Sequence, residues 1–310
     1  MNKNFIFFST RKGLNLAKKI VDYYGISLGK ISFLKFSDGE YEISFEESIR
    51  GCQVFLIGST FPPADNLMEL LLMCDTAKRA SAKNITVIIP YFGWARQDKK
   101  DKPRSSLGAK LVANLITYSG ATRIITMDLH KNQIQGFFEI PIDHISAFTI
   151  FINYINKLNL NELIIASPDI GGIKRAKNYA LYLNTDIVFC YKERKKANQI
   201  EYMNLIGNVK NKNIIIIDDI IDTAQSITLA AKIMKEKGAK TIRAMATHPI
   251  LSGRAYEEIE NSLIEELIVM DTIPIKKKIK KIRILSSAYI FSKVIDSISK
   301  NKSINSKFII

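Results

Sequence analysis

Residues 214–226 have the sequence IIIIDDIIDTAQS, and a helical pattern, ITLAAKIMKEKG, follows directly at 227–238. Four consecutive isoleucines are typical of a strand that is covered on both faces, as in a parallel sheet. The apolar run leads into a pair of aspartates, and a short loop rich in Asp, Thr and Ser then enters the helix. This order predicts carboxylates at the carboxyl end of a strand and unpaired backbone N–H groups at a helix start.

Such a junction suits the binding of a sugar phosphate. Backbone N–H groups of a helix start and the hydroxyls of Thr223 and Ser226 are good phosphate ligands, and the nearby carboxylates accept hydrogen bonds from ribose hydroxyls or bind a metal. The same residues also fit a purely structural interpretation, in which Asp218 and Asp219 end a strand and Thr223 caps a helix.

Short apolar runs of the same kind recur along the chain, with longer helical patterns between them. The predicted strands are 5–8, 54–57, 85–89, 124–126, 163–166, 187–190, 214–217 and 242–245, and helices are predicted at 66–82 and 107–119. This alternation predicts an α/β protein in which helices flank mostly parallel sheets. Because the pattern restarts at 145–150, after the Pro141 turn, we expect two similarly built domains, 1–147 and 148–310.

Composition excludes several classes of protein. With 47% hydrophobic and 24% charged residues among 310, the chain is neither disordered, collagen-like nor of low complexity. It has no apolar run of about 18 residues and no secretory leader pattern. Its three cysteines lie far apart and do not suggest a disulfide framework or a zinc site. We therefore expect a cytoplasmic protein that makes no membrane contact.

The net charge of +15 could indicate nucleic acid, a membrane surface or small polyanions such as nucleotides and sugar phosphates. Most of the excess is lysine, and the basic residues are not interleaved regularly with aromatic ones, so nucleic acid is not favoured. The basic run 276–283 alternates with isoleucines and is expected to be an amphipathic, solvent-facing segment. The charged stretch 91–106 is expected to be a surface loop that closes over a ligand.

The string DDIIDTAQS resembles the phosphoribosyl-diphosphate loop of the type I phosphoribosyltransferase fold. Six other strings occur in the chain: FSDGE at 36–40, ELLLMCDTAKRASA at 69–82, PYFGWARQD at 90–98, MDLHKNQIQGFF at 127–138, SPDIGGIKRA at 167–176 and ATHPILSG at 246–253. In this combination the chain resembles the class I ribose-phosphate diphosphokinases, or PRPP synthetases, in order from about residue 30 to residue 275.

The resemblance implies two tandem type I phosphoribosyltransferase-like domains and an active site where ATP from the first meets ribose 5-phosphate in the second. It implies transfer of the diphosphoryl group of ATP to ribose 5-phosphate, giving PRPP and AMP, with Mg²⁺ as cofactor. It further implies a homohexamer with inorganic phosphate and ADP as effectors, for which Arg50 and Arg79 are candidate anion ligands.

Site residues follow from the resemblance, position by position. ATP is expected at Asp38, Gly39, Glu40, Arg96 and Gln97. The implied magnesium ligands are His130 and Asp169, and His130 could equally position a phosphate. Lys192 and Arg194 match the catalytic basic pair. Ribose 5-phosphate is expected at Arg194, Asp218, Asp222, Thr223, Ala224, Gln225 and Ser226. His144 and His248 are expected to be structural histidines.

Two positions depart from the family pattern. Gln225 stands where the family commonly has glycine, and its side chain would crowd the phosphate, or strain the backbone if its φ is positive. Glu193 stands where the family commonly has arginine. These departures keep open an alternative function, a catalytically weak regulatory or associated subunit of a PRPP synthetase. A salvage phosphoribosyltransferase that consumes PRPP fits less well, because it needs only about half this length.

Overall fold

The computed structural model describes residues 5–193 and 202–304, apart from the side chains of Lys192, Glu193 and Tyr202. The chain forms two compact units. The first unit contains the chain up to Ser146, the short segment Thr272–Pro274 and the segment from Ser286 onward. The second contains Ala147–Asp271 and Ile275–Leu285.

The first unit is built on a parallel sheet with helices packed on it. In chain order its elements are β1 (Phe5–Ser9), α1 (Leu14–Asp22), β2 (Ile31–Lys35), β3 (Tyr41–Phe45), β4 (Gln53–Ile57), α2 (Asp65–Arg79), β5 (Asn84–Ile89), α3 (Gly108–Ser119), β6 (Arg123–Met127) and β7 (Ile142–Ile145), and α8 (Ala288–Ser299) is added from the end of the chain. The sheet order is β1-β4-β5-β6-β7, and every pairing in it is parallel. β2 and β3 form a separate antiparallel hairpin.

The second unit repeats this plan with more strands. Its elements are α4 (Phe148–Lys157), β8 (Leu163–Ser167), α5 (Ile173–Leu183), β9 (Ile187–Glu193), β10 (Tyr202–Ile206), β11 (Asn213–Ile221), α6 (Gln225–Glu236), β12 (Thr241–Pro249), α7 (Ala255–Asn261), β13 (Glu266–Met270) and β14 (Ile282–Leu285). The sheet order is β10-β9-β8-β11-β12-β13-β14, in which β9 and β10 pair antiparallel and the other neighbours pair parallel. The predicted α/β class with mostly parallel sheets is confirmed.

The isoleucines of β11 explain why the second sheet forms where it does. Ile214 to Ile217 are fully buried, and β11 lies between β8 and β12 in the middle of the sheet. A strand with both faces covered removes four large side chains from water, at roughly 2 kcal/mol each. All eight predicted strands are present.

Several strands escaped the sequence analysis, chief among them the β2–β3 hairpin. Its segments, ISFLK and YEISF, mix polar and apolar residues and are only partly buried. A continuous apolar run therefore does not mark them, because one face of the hairpin meets solvent.

The two units also differ from the predicted partition at 147, because helix α8 joins the first unit. One face of α8 buries Ile290, Phe291 and Val294, and α8 packs against the apolar face of α1. The hydroxyl of Tyr24 donates to the backbone oxygen of Ser292. The last helix therefore covers the first unit, although the sequence assigns it to the second half of the chain.

The basic run 276–283 is solvent-facing, as expected. Lys276, Lys277, Lys278 and Lys280 are exposed, whereas Ile279 and Ile282 pack against the core of the second unit. Within the described residues, no helix is both long and apolar enough to cross a bilayer.

We expect Phe291→Ala to lower the stability of the first unit by about 3–5 kcal/mol, since it removes a fully buried ring. Trp94 is the one tryptophan in the sequence and lies in the first unit, so its fluorescence during urea unfolding reports on that unit. The control is Tyr289→Ala, at a half-exposed position on the same helix, for which we expect a loss of about 1 kcal/mol or less. If Phe291→Ala does not shift the urea midpoint of the Trp94 transition, the assignment of α8 to the first unit is contradicted.

Candidate functional site

The segment Asp222–Ala224 connects β11 to α6 and has the geometry of a small anion cradle. Ala224 has φ 65° and ψ −7°, a left-handed conformation that turns the chain sharply into the helix. Among the described residues no side chain caps this helix start. The first N–H groups of α6 therefore face the loop without a helical acceptor, beside the hydroxyls of Thr223 and Ser226.

A second loop, from the string ATHPILSG, holds this cradle in place. The backbone N–H groups of Ile250 and Leu251 donate to the oxygen of Ile221, at 2.9 and 3.1 Å. Ser252 donates from its backbone nitrogen to the oxygen of Asp222 at 3.1 Å, and from its hydroxyl to Asp222 Oδ1. The sequence flagged the string but not the role of Ser252, since the contact joins residues 30 positions apart.

The left-handed residue of the cradle is Ala224 and not Gln225. Gln225 begins α6, is not among the residues with positive φ, and its side chain is exposed. The backbone strain considered for Gln225 is therefore absent, and the small Ala224 occupies the position where a larger side chain would be strained.

Asp218 and Asp219 lie near the end of β11 and share the cation of Arg175. One guanidinium nitrogen of Arg175 lies 2.8 Å from Asp219 Oδ1 and 3.4 Å from Asp218 Oδ1. Asp219 is buried, whereas the Asp218 side chain is 23% exposed. Arg175, which belongs to the string SPDIGGIKRA, thus pairs with these two carboxylates.

Burial raises the pKa of the Asp218 carboxyl well above its usual value, and the neighbouring charge of Asp219 raises it further. The guanidinium of Arg175 opposes this rise, and the charge of Asp169 adds to it. Asp218 is thus a carboxylate whose negative charge is only partly compensated by the protein. Such a group favours a bound cation or hydroxyl donors.

Asp169 follows β8 and is held by its own loop. Its Oδ1 accepts from the N–H of Gly172 at 2.9 Å, and Ser167 Oγ donates to its backbone oxygen at 2.6 Å. A Cβ atom on Gly172 would lie 2.6 Å from Ser167 Oγ, so a side chain there would displace the hydroxyl that bonds Asp169. Asp169 is exposed.

The second unit therefore brings three predicted groups to one edge of its sheet. β8 and β11 are parallel neighbours, so Asp169, Asp218 and the loop 222–226 all lie at carboxyl ends, where α/β proteins bind ligands. Carboxylate oxygens suit Mg²⁺, and Asp169 and Asp218 fit such an ion chemically. Within the described ranges, no cluster of three or more His, Cys, Asp or Glu forms a complete protein-only metal cage.

The predicted catalytic pair is described only in part. The backbone of Lys192 lies in β9, paired with Met203 of β10. The side chain of Lys192 and all of Arg194 lie outside the described residues.

The predicted nucleotide residues lie in the first unit, at two places. Asp38, Gly39 and Glu40 form the exposed turn of the β2–β3 hairpin. The Phe36 N–H donates to the Glu40 oxygen at 2.8 Å, and the Glu40 N–H donates to Asp38 Oδ1 at 2.9 Å. Gly39 has φ 101°, which favours glycine.

Arg96 and Gln97 lie on the loop that follows β5, and both are exposed. Gln97 is fixed at the start of α3, where its backbone oxygen accepts from Ala109 at 3.2 Å and its Oε1 accepts from Ser106 at 3.2 Å. The neighbouring Asp98 is buried and accepts from Gln133 Nε2 at 3.0 Å. The surface loop expected over 91–106 is therefore anchored at several points.

His130 follows β6 in the first unit, whereas Asp169 belongs to the second. His144 is buried on β7, and its Nε2 accepts from the N–H of Leu129 at 2.7 Å. This bond gives His144 the structural role expected from the sequence. His248 is buried on β12.

Replacing Ala224 and Gln225 by the same residue separates the two backbone conformations. We expect Ala224→Val to lower the free energy of unfolding by about 2 kcal/mol or more, because a β-branched residue is strained at φ 65°. The matched change Gln225→Val should cost less than about 0.7 kcal/mol, the difference in helix propensity. Urea denaturation measures the free energy of unfolding of both variants. If both variants lose the same amount, the backbone strain does not lie at Ala224.

We expect Asp218→Asn to raise the melting temperature at pH 7 in buffer without divalent cations. A carboxyl whose pKa is raised on folding binds more protons when folded, so stability falls as the pH rises above the usual aspartate value, about 4. The amide removes that loss and retains an oxygen for the Asp219 N–H. The gain should shrink as the pH is lowered towards 4.

The control for Asp218→Asn is Asp186→Asn, an exposed aspartate in the same unit. Thermal melts of both variants between pH 4 and pH 8 provide the comparison. A lower melting temperature for Asp218→Asn than for the wild type at pH 7 would contradict the direction of the shift.

Comparisons with known proteins identify similar sequences over nearly the whole chain. A family model described as the N-terminal domain of ribose phosphate pyrophosphokinase matches residues 5–120. A second model, described as a phosphoribosyl synthetase-associated domain, matches residues 195–309. The two matched ranges include the predicted nucleotide residues and the loop 222–226.

Whole-chain relatives have the same name. A ribose-phosphate pyrophosphokinase from Porphyromonas gingivalis is 50% identical over 306 residues, which are 98% of this chain and 98% of that protein. One from Campylobacter jejuni is 48% identical over 308 residues, 99% of this chain and 100% of that protein.

Among solved structures, phosphoribosylpyrophosphate synthetase from Mycobacterium smegmatis superposes with a TM-score of 0.91 at 35% identity. The superposition covers 96% of this chain and 100% of that one. Agreement in sequence and in fold over nearly the whole length leads to one conclusion: the chain belongs to the ribose-phosphate pyrophosphokinase family.

Proposed function

We propose that this protein is a ribose-phosphate diphosphokinase. It transfers the β,γ-diphosphoryl group of ATP to the C1 hydroxyl of ribose 5-phosphate, which gives 5-phosphoribosyl 1-diphosphate and AMP. The observation that carries the proposal is 50% identity, over 98% of both chains, to a relative with this name. The cradle between β11 and α6 supplies a site of the right chemistry for the sugar phosphate.

Ribose 5-phosphate binds at the cradle. Its phosphate takes hydrogen bonds from the N–H groups at the start of α6 and from the hydroxyls of Thr223 and Ser226. The backbone of Ala224 approaches the phosphate closely because its side chain is small, and Gln225 is exposed at the first position of α6. Asp218 accepts hydrogen bonds from the sugar hydroxyls.

In this proposal Asp222 is a sugar-binding carboxylate whose orientation the protein fixes in advance. Its carboxylate is held by the hydroxyl of Ser252, and it stands between the acidic end of β11 and the phosphate-binding turn. An aspartate fixed in this way keeps its orientation when the sugar arrives, so little side-chain entropy is lost on binding.

ATP binds to groups of the first unit. Asp38, Gly39 and Glu40 offer backbone and carboxylate groups for the adenine and its ribose, and Gly39 leaves open space above the turn. Arg96 supplies a planar cation for the phosphate chain, and Gln97 an amide beside it. The bonds from Ala109 and Ser106 keep Gln97 in position at the end of the loop.

Mg²⁺ is the proposed cofactor, and Asp169 and His130 are its proposed ligands. When bound, the ion neutralises negative charge on the phosphoryl oxygens. On the protein side, the Gly172 N–H fixes Asp169 Oδ1, and Asp169 is exposed. The negative charges that raise the pKa of Asp218 also attract a cation to this edge of the sheet.

Lys192 and Arg194 are the proposed catalytic cations. Attack of the C1 oxygen on the β-phosphorus spreads negative charge over the transferring group, and fixed cations stabilise that charge. β9 carries Lys192 at its carboxyl end, beside β8 and therefore beside the loop of Asp169.

Assembly and regulation are proposed on the same family basis: a homohexamer in the cytoplasm, with inorganic phosphate and ADP as effectors. The alternative, a catalytically weak associated subunit, had two departures in its favour. Gln225 supports it less, because its φ is not positive and the backbone strain is absent. The second departure is Glu193, whose side chain lies outside the described residues.

The test is a direct assay of the purified protein with ATP, ribose 5-phosphate and Mg²⁺, with and without inorganic phosphate. We expect AMP and 5-phosphoribosyl 1-diphosphate in equal amounts. ADP in place of AMP would indicate transfer of a single phosphoryl group. A folded sample that binds ATP and forms neither product would support the associated-subunit alternative.

In the same assay we expect Lys192→Ala to lower kcat a hundredfold or more, which corresponds to about 3 kcal/mol of lost transition-state stabilisation. The control is Lys232→Ala, an exposed lysine on α6 that is paired with Glu236. An unchanged rate for Lys192→Ala would remove this residue from the mechanism.

A further inference from the structure

Arg11 occupies an unusual position at the end of β1. Its backbone N–H donates to Glu69 Oε1 at 2.5 Å, and its Nε donates to Glu69 Oε2 at 2.9 Å. Glu69 lies on α2, and its side chain is only 3% exposed. A carboxylate buried to that degree needs a charged, hydrogen-bonded partner, and Arg11 supplies both bonds.

The other side of the Arg11 guanidinium faces the β2–β3 hairpin. Its central carbon lies 5.1 Å from the ring centre of Phe33 and 5.3 Å from that of Tyr41. Phe33 and Tyr41 point to the same face of the hairpin, because Phe33 pairs with Ile43, two residues beyond Tyr41. The guanidinium therefore rests on both strands at once.

The contact falls next to the turn that carries the proposed nucleotide residues. Tyr41 directly follows Glu40, and the pair Lys35 and Tyr41 is the last one before the turn. The hydroxyl of Tyr41 also donates to the backbone oxygen of Asp65 at 3.1 Å, at the start of α2. The opposite end of the hairpin is anchored separately, where Phe45 stacks on Phe8 with ring centres 4.0 Å apart.

We propose that Arg11 is a positioning residue for ATP: by bridging Glu69 to Phe33 and Tyr41, it fixes the angle at which the hairpin presents Asp38, Gly39 and Glu40. The inference rests on the proposed function of that turn. An antiparallel pair of strands that belongs to no larger sheet has little rigidity of its own. Without the Arg11 bridge the hairpin keeps the stack of Phe45, the burial of Ile43 and the Tyr41 bond to Asp65, but it loses the one described contact that joins both strands beside the turn to a buried charge.

The test compares steady-state kinetics of Arg11→Ala and Arg11→Lys with the wild type. We expect Arg11→Ala to raise KM for ATP about tenfold, with kcat and KM for ribose 5-phosphate changed less than about twofold. Lysine keeps the charge but lacks the planar group that donates and stacks together, so Arg11→Lys should fall in between. Tyr41→Leu should raise KM for ATP in the same way, and its effect should not add to that of Arg11→Ala.

The matched control is Arg283→Ala. Arg283 has the same surroundings, with Nε 2.5 Å from Glu266 Oε1 and its guanidinium 5.8 Å from the ring centre of Tyr154, and it is about equally exposed. It lies on β14, a strand at the edge of the second sheet. β14 itself carries none of the proposed site residues. We expect all three kinetic constants to stay within twofold.

A second measurement does not depend on turnover. Hydrogen exchange of the backbone amides in 31–45 should be faster in Arg11→Lys than in the wild type, while the amides of β4 and β5 exchange as before. ATP titration by calorimetry should show the weaker binding directly. If the wild type forms no PRPP, the proposed function fails, and these two measurements still decide the role of Arg11.

Two results would overturn the inference. One is an unchanged KM for ATP, with unchanged exchange in the hairpin, in folded Arg11 variants. The other is an equal rise in KM for both substrates, which indicates a general loss of structure. If Arg11→Ala does not fold, Arg11→Lys and Tyr41→Leu carry the same comparison.

Discussion

Parallel pairing of β8 and β11 is the constraint on which the second unit depends. Because both strands run in the same direction, their carboxyl ends meet at one edge, and Asp169, Asp218 and the loop 222–226 arrive there together. The pairing is possible only because β11 is apolar enough to be covered on both faces, and its four isoleucines are fully buried. The same strand thus contributes its isoleucines to the core and its carboxyl end to the candidate site.

Three carboxylates lie close enough together at that edge to affect one another's charge. Arg175 supplies one cation for Asp218 and Asp219, and Asp169 adds a further negative charge nearby. The protein accepts a raised pKa at Asp218, which is a cost to stability at neutral pH. In the proposed function, a bound cation or sugar hydroxyls compensate part of the negative charge that raises the pKa of Asp218.

The first unit meets a different requirement. Its predicted nucleotide residues lie on a hairpin and on a loop, neither of which belongs to the parallel sheet. Such elements need anchors from the body of the unit. Arg11 and Phe8 hold the hairpin, and the bonds of Gln97 and Asp98 hold the loop. The contacts of Arg11, Phe8 and Asp98 join segments that are distant in sequence, whereas the bond between Gln97 and Ser106 lies within the loop.

The sequence by itself determined the α/β class, eight of the strands and the cradle at 222–226, because apolar runs and the Asp–Thr–Ser loop are local signals. It also pointed to the family, through strings that keep their order along the chain. Only the tertiary structure decided that α8 covers the first unit, that Ala224 rather than Gln225 has the left-handed backbone, and that Arg175 pairs with carboxylates. The physical reason is that helix docking, a loop's φ angles and a buried ion pair are set by contacts between distant segments, and no local pattern encodes such contacts.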